Sequence, residues 1–68
     1  MNTFSTRLKE LRKEHSLTQK SLAKELDTTD DCIYSWEKGR SEPSIAELIM
    51  LANYFEVSLD YLLGRLDI

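Results

Sequence analysis

The amino-acid sequence predicts an all-α fold, and three observations predict it. Apolar residues recur at the helical period in one short stretch after another. Ser or Thr stands ahead of most of those stretches, where an N-cap belongs. No stretch alternates convincingly as a strand, and there is no internal repeat or low-complexity segment.

Five helices follow in order. Phe4, Leu8, Leu11 and His15 share one face of the first, with Asn2 or Thr3 as its N-cap, and His15-Ser16 breaks it. Thr18 caps the second, whose inner side is Leu22, Ala23 and Leu26. Asp27-Thr28 makes a tight turn. Thr29 caps a third helix that runs through Trp36 and ends at Gly39. Ile33 and Trp36 face inward on it, leaving Asp30, Asp31, Tyr34 and Ser35 outward.

Arg40 to Pro43 is a loop, after which Ser44-Ile45-Ala46-Glu47 fits a capping box, serine and glutamate each satisfying an orphan backbone donor. Ile45, Leu48, Ile49, Ala52 and Phe55 are expected to form the inner stripe of the fourth helix. Ser58 caps the fifth, Val57 is placed to staple onto Leu62, and Gly64 stops it.

Sixty-eight residues, 41% hydrophobic and 31% charged, fit one small soluble domain over residues 1–68. Such a short chain has a marginal core that association would support. The longest strictly apolar run, Leu48 to Ala52, falls far short of the ~20 residues of a membrane span. The first residues lack the charged-then-apolar order of a signal peptide, so a cytoplasmic location is expected. One cysteine and one histidine exclude a disulfide framework and argue against a structural metal or cofactor. With no constellation of catalytic groups, neither an enzyme nor a small-molecule substrate is expected.

Nine Lys and Arg against twelve Asp and Glu give a net charge of −3, a mild argument against a nucleic-acid partner. The halves differ, however. Residues 1–26 hold six basic and three acidic side chains, a balance of +3, whereas residues 27–68 hold three and nine, a balance of −6. A phosphate-facing surface must therefore draw on the first half together with Lys38 and Arg40. Lys9, Lys13 and their neighbours otherwise read as solvating residues of the first helix.

Ala23, the Asp27 turn and Ile33 are spaced as two short helices crossing through a tight turn require. A small residue sits where the backbones approach, a residue tolerant of positive φ at the turn, and an apolar anchor in the second helix. Further residues fall in order around them: Leu17-Thr18-Gln19, Leu22, Trp36-Glu37-Lys38-Gly39, Pro43-Ser44 and Val57 to Leu63. The set resembles the helix-turn-helix family of phage repressors, Cro proteins and XRE-type bacterial regulators, over residues 4 to 63. The resemblance implies a compact five-helix lambda-repressor-like domain with its helix-turn-helix at about residues 18–37. It implies sequence-specific binding of double-stranded DNA, usually as a homodimer, with the third helix in the major groove.

Physical reasoning agrees with that implication. An α-helix fits the major groove and can present side chains to base edges. Thr18, Gln19 and Lys20, at the start of the second helix, are assigned to the DNA backbone; simple capping by Thr18 with a solvated Gln19 is the alternative. By position Asp30, Asp31 and Ser35 stand where relatives read bases, with Tyr34 on the same outward face. Thr28, Thr29, Lys38, Arg40 and Ser41 flank that helix as candidate phosphate clamps; Lys38 and Arg40 also suit the negative end of a helix dipole.

The paired aspartates depart from the neutral amides, serine or arginine that relatives usually place in this first turn. Either each accepts a hydrogen bond from a cytosine amino group, or both stabilise the helix N-terminus. Ser16, Asp27 and Glu56 stand where the family favours glycine. Arg12 and Glu37 match a pair that in relatives bridges the first and third helices. Cys32 is expected to pack partly inside, His15 to complement a helix dipole, and Trp36 to belong to the core.

Met50 and Tyr61 occupy positions where relatives carry charge, so with Leu66 and Ile68 they form a candidate dimer surface. The chain reads as a transcriptional regulator, a repressor occluding a promoter. The alternative is a protein-interaction module, an antitoxin or anti-regulator that keeps the fold.

Overall fold

A computed structural model describes residues 3–66 of the chain. They form α1 (Thr3–Glu14), α2 (Gln19–Glu25), α3 (Asp30–Lys38), α4 (Ile45–Phe55) and α5 (Leu59–Leu62). Among the described residues there is no strand, and no helix is long and apolar enough to cross a membrane. The all-helical architecture is the one the sequence predicts.

Each helix contributes one side chain with no solvent access: Leu8, Leu22, Ile33, Leu51 and Leu62. They join a single cluster with Phe4, Leu11, Ala23, Leu26, Trp36, Ala52 and Phe55. Full burial of such a side chain is worth about 1.5–3 kcal/mol, so the centre rests on contributions from all five helices. α2 packs most extensively on α3, and α1 lies across α3 as a brace.

The helix starts follow the expected capping. Thr18, Thr29, Ser44 and Ser58 have extended backbone, and each side-chain oxygen accepts from the amide three residues on. At Ser44 the box is complete: the Ser44 amide donates to Glu47 Oε1 at 2.7 Å and the Glu47 amide to Ser44 Oγ at 3.1 Å.

The helix ends share a second device. Ser16, Asp27, Gly39, Glu56 and Gly64 all take left-handed backbone, with φ between 56° and 82°. After each, the next amide bonds a carbonyl five residues back: Leu17 to Arg12, Thr28 to Ala23, Arg40 to Ser35, Val57 to Ala52 and Arg65 to Asp60. This is the Schellman arrangement, which satisfies carbonyls a helix end leaves open. Three of the five residues are not glycine, the same Ser16, Asp27 and Glu56 that depart from the family's preference. Gly64 has a further reason to lack a side chain, since a Cβ there would overlap the side chain of Thr3.

Two expectations need correction. Thr3 lies within α1 rather than capping it, and Asn2 lies outside the described residues. On α4, Ile45 is 76% and Ile49 45% exposed, so neither belongs to the inner stripe. That stripe is Leu48, Leu51, Ala52 and Phe55, with Leu51 fully buried. The helix is apolar around so much of its circumference that period alone does not fix its phase. His15, just past the end of α1, is exposed; its ring bonds the Leu11 carbonyl through Nδ1, at the helix end where a dipole partner was expected, and meets Phe55 edge-on at 5.0 Å.

Candidate nucleic-acid interface

The orientation of α3 is set from α1. Arg12 is buried and its guanidinium donates to both Glu37 oxygens, from Nε to Oε2 at 2.6 Å and from Nη2 to Oε1 at 3.1 Å. Nη1 donates to the Leu17 carbonyl at 2.8 Å, so the same side chain also holds the α1–α2 turn. The Arg12 and Glu37 side chains retain 11% and 3% of their exposure. Bidentate arginine–carboxylate geometry adds direction as well as strength. Gln19 completes the group by donating from Nε2 to Glu37 Oε1 at 3.1 Å. Gln19 is thus tied to the bridge, a role its assignment to the DNA backbone did not include.

A second tie was missing from the sequence reading. The buried Ser5 hydroxyl donates to the Trp36 carbonyl, linking the first turn of α1 to the last turn of α3. The signal was present, since Ser5, Leu8 and Arg12 share one face at helical spacing.

Outward from this frame, α3 presents Asp30, Asp31 and Tyr34 to solvent, with Ser35 half-buried. The Asp30 carboxylate folds back and accepts from the Asp31 amide at 3.1 Å, while Thr29 Oγ1 accepts from the Cys32 amide at 3.2 Å. Asp30 thus serves the helix N-terminus with one oxygen, whatever else it meets. Thr18 Oγ1 accepts from the Ser21 amide at 2.9 Å and donates to Ser21 Oγ at 2.8 Å. Thr18, Lys20 and Thr29 are exposed and Thr28 half-buried along this side. Cys32 is half-buried and Trp36 is core, 3% exposed.

At the other end of α3, Lys38, Arg40 and Ser41 are exposed. Lys38 Nζ lies 5.6 Å and Arg40 Cζ 5.7 Å from the centroid of the Tyr34 ring. Lys38 also borders an open groove between α1 and α3, whose α1 wall carries Lys9 and Lys13 as well as Glu10. Among the described residues no group of three His, Cys, Asp or Glu side chains could hold a metal ion.

Of the candidate dimer residues, Met50 and Tyr61 border different grooves. Met50, 43% exposed, borders the α2–α3 side beside Leu26 and Glu47. Tyr61 is half-buried and borders a groove with Leu11 and Val57, and the Arg7 guanidinium covers its ring at 4.1 Å. Leu66 is 48% exposed while its carbonyl accepts from Arg7 Nη1 at 3.2 Å. Ile68 lies outside the described residues.

Comparison with known proteins is consistent along almost the whole chain. The Helix-turn-helix family model matches residues 8–62. The HTH-type transcriptional regulator YqaE of Bacillus subtilis is 43% identical over 60 residues, covering 88% of this chain and 52% of that protein. A transcriptional regulator from Listeria innocua superposes with a TM-score of 0.86 at 35% identity, covering 93% of this chain and 59% of that one. The P22 c2 repressor, solved in complex with a synthetic operator, superposes with a TM-score of 0.85 at 28% identity, over 93% of this chain and 96% of its own. This chain spans about half the length of YqaE and of the transcriptional regulator ImmR of Bacillus subtilis. It belongs to the helix-turn-helix family of XRE-type and phage-repressor-like proteins.

Proposed function

We propose that the chain is a sequence-specific, duplex-DNA-binding transcriptional regulator of the cytoplasm, acting as a repressor, with α3 from Asp30 onward in the major groove. The observation that carries this reading is the edge of α3. Its outward side chains Asp30, Asp31, Tyr34 and Ser35 stand on a helix locked from behind by Arg12 and Glu37. Thr18, Gln19, Lys20, Thr28 and Thr29 flank it at one end and Lys38, Arg40 and Ser41 at the other. A fixed helix lets side chains specify bases while the flanking groups position the duplex. The P22 c2 repressor's complex with an operator supports the same partner here, and the family is one of regulators rather than enzymes.

A homodimer through α5 and the tail would set two such helices ~34 Å apart on one face of DNA. Exposed Leu59, Leu63 and Leu66 support that placement. Light scattering at micromolar concentration should return twice the chain mass; a monomer would count against it.

The test of DNA binding is selection from a pool of random duplexes across a salt series. Enrichment of a common half-site, with affinity falling steeply as salt rises, is the expected result. If no duplex is retained even in dilute buffer, the second reading takes over. That reading, a protein-interaction module of the antitoxin or anti-regulator kind, is favoured by the exposed carboxylates of Asp30 and Asp31 and the net charge of −3.

A further inference from the structure

Tyr34, Lys38 and Arg40 make one assembly on the outer surface at the end of α3. Both cations lie within 6 Å of a single ring centroid, at 5.6 and 5.7 Å, the range in which the ring quadrupole attracts a positive charge. Two separate backbone features bring them there. Lys38 follows Tyr34 by one helical turn and so shares its face. Arg40 arrives through Gly39, whose left-handed φ of 73° reverses the chain, and its amide bond to the Ser35 carbonyl fixes the return. Without that turn Arg40 would continue away from the helix.

Neither cation is paired with a carboxylate among the described residues. Two like charges on flexible stems ordinarily spread apart, and ordering them on binding costs conformational freedom. A ring that attracts both removes part of that cost beforehand. The two heads are also chemically different: arginine offers a planar fork for two phosphate oxygens, lysine a compact point charge.

We infer that Tyr34 is a positioning residue, its ring holding Lys38 and Arg40 together as a preset pair of cations for adjoining phosphates of the DNA backbone. The assignment rests on the DNA-binding reading and deepens it, since it gives the outward tyrosine of α3 a role in affinity and none in choosing bases.

The experiment uses the full chain and the duplex chosen by random selection, titrated across a salt series. Tyr34→Phe keeps the ring and should stay within about twofold of the parent, whereas Tyr34→Leu should weaken binding about three- to tenfold. The Lys38→Gln/Arg40→Gln pair should lower the salt slope by about 2. In that background, adding Tyr34→Leu should cost less than about twofold, because nothing is left to position. Equal losses in both backgrounds, a changed half-site in Tyr34→Leu, or a loss in Tyr34→Phe as large as in Tyr34→Leu would each overturn the inference.

A measurement without DNA separates this inference from the reading beneath it. Proton resonances of the Lys38 and Arg40 side chains should be displaced by the Tyr34 ring current in the parent and in Tyr34→Phe, and return in Tyr34→Leu. Undisplaced resonances in the parent overturn the ring assembly. Displaced resonances in a protein that retains no duplex would overturn the phosphate role while leaving the assembly in place.

Discussion

α3 and α4 begin and end alike, yet they expose opposite chemistry. Each starts at a hydroxyl cap and closes on a left-handed residue, Gly39 in one and Glu56 in the other. α3 buries Ile33 and Trp36 and turns carboxylates, a tyrosine and a lysine to solvent. α4 buries Leu51, Ala52 and Phe55 and turns Ile45, Ile49 and Met50 outward. The difference lies in what fixes each helix. α3 is held by directional polar bonds to Arg12 and Ser5 as well as by its core side chains. α4 depends on apolar packing, with outward isoleucines that the core does not require.

That contrast can be broken at both ends. The largest effect is expected from Arg12→Ala, which leaves Glu37 buried without its charged partner and should cost about 3–5 kcal/mol. Chemical denaturation should show it, together with weakened duplex binding; normal stability would remove the bridge from the account. On α4, Leu51→Ala should cost about 2–5 kcal/mol in the same assay, although Leu51 is no more apolar than its neighbours. Ser44→Ala removes the α4 capping box and should cost about 1 kcal/mol. Glu56→Gly should act in the opposite direction. It relieves left-handed strain of about 1 kcal/mol or more, offset in part by greater freedom of the unfolded chain, for a net gain of about 0.5 kcal/mol, seen as a higher denaturant midpoint at unchanged slope. The smallest change belongs to Ile45→Gln, within about 0.5 kcal/mol, because three quarters of that residue already faces water.

Much of this was legible in the residues. Hydroxyl caps mark helix starts because a side-chain oxygen can substitute for the missing carbonyl, and Thr18, Thr29, Ser44 and Ser58 each do so. A left-handed turn was legible at Asp27, whereas Ser16 and Glu56 stood out only as residues where relatives favour glycine, and their left-handed backbone came from the structure. The outward face of α3 follows from Ile33 and Trp36. The phase of α4 did not follow, since Ile45, Leu48, Ile49, Met50, Leu51 and Ala52 surround the helix and only tertiary packing chooses among them. Nor did the partners that need three-dimensional placement: Gln19 on Glu37, Arg7 over Tyr61, and Arg40 folded back through Gly39 onto Tyr34.

The close fit of Gly64 against Thr3, with Arg7 holding the Leu66 carbonyl nearby, bears on how the molecule would respond to mechanical load. Pulled apart by residues 3 and 66, the polypeptide would bear tension first where its opening and closing turns touch. It would peel from that seam inward, so the paired helices α2 and α3, far from both grips in chain order, would be the last to give way.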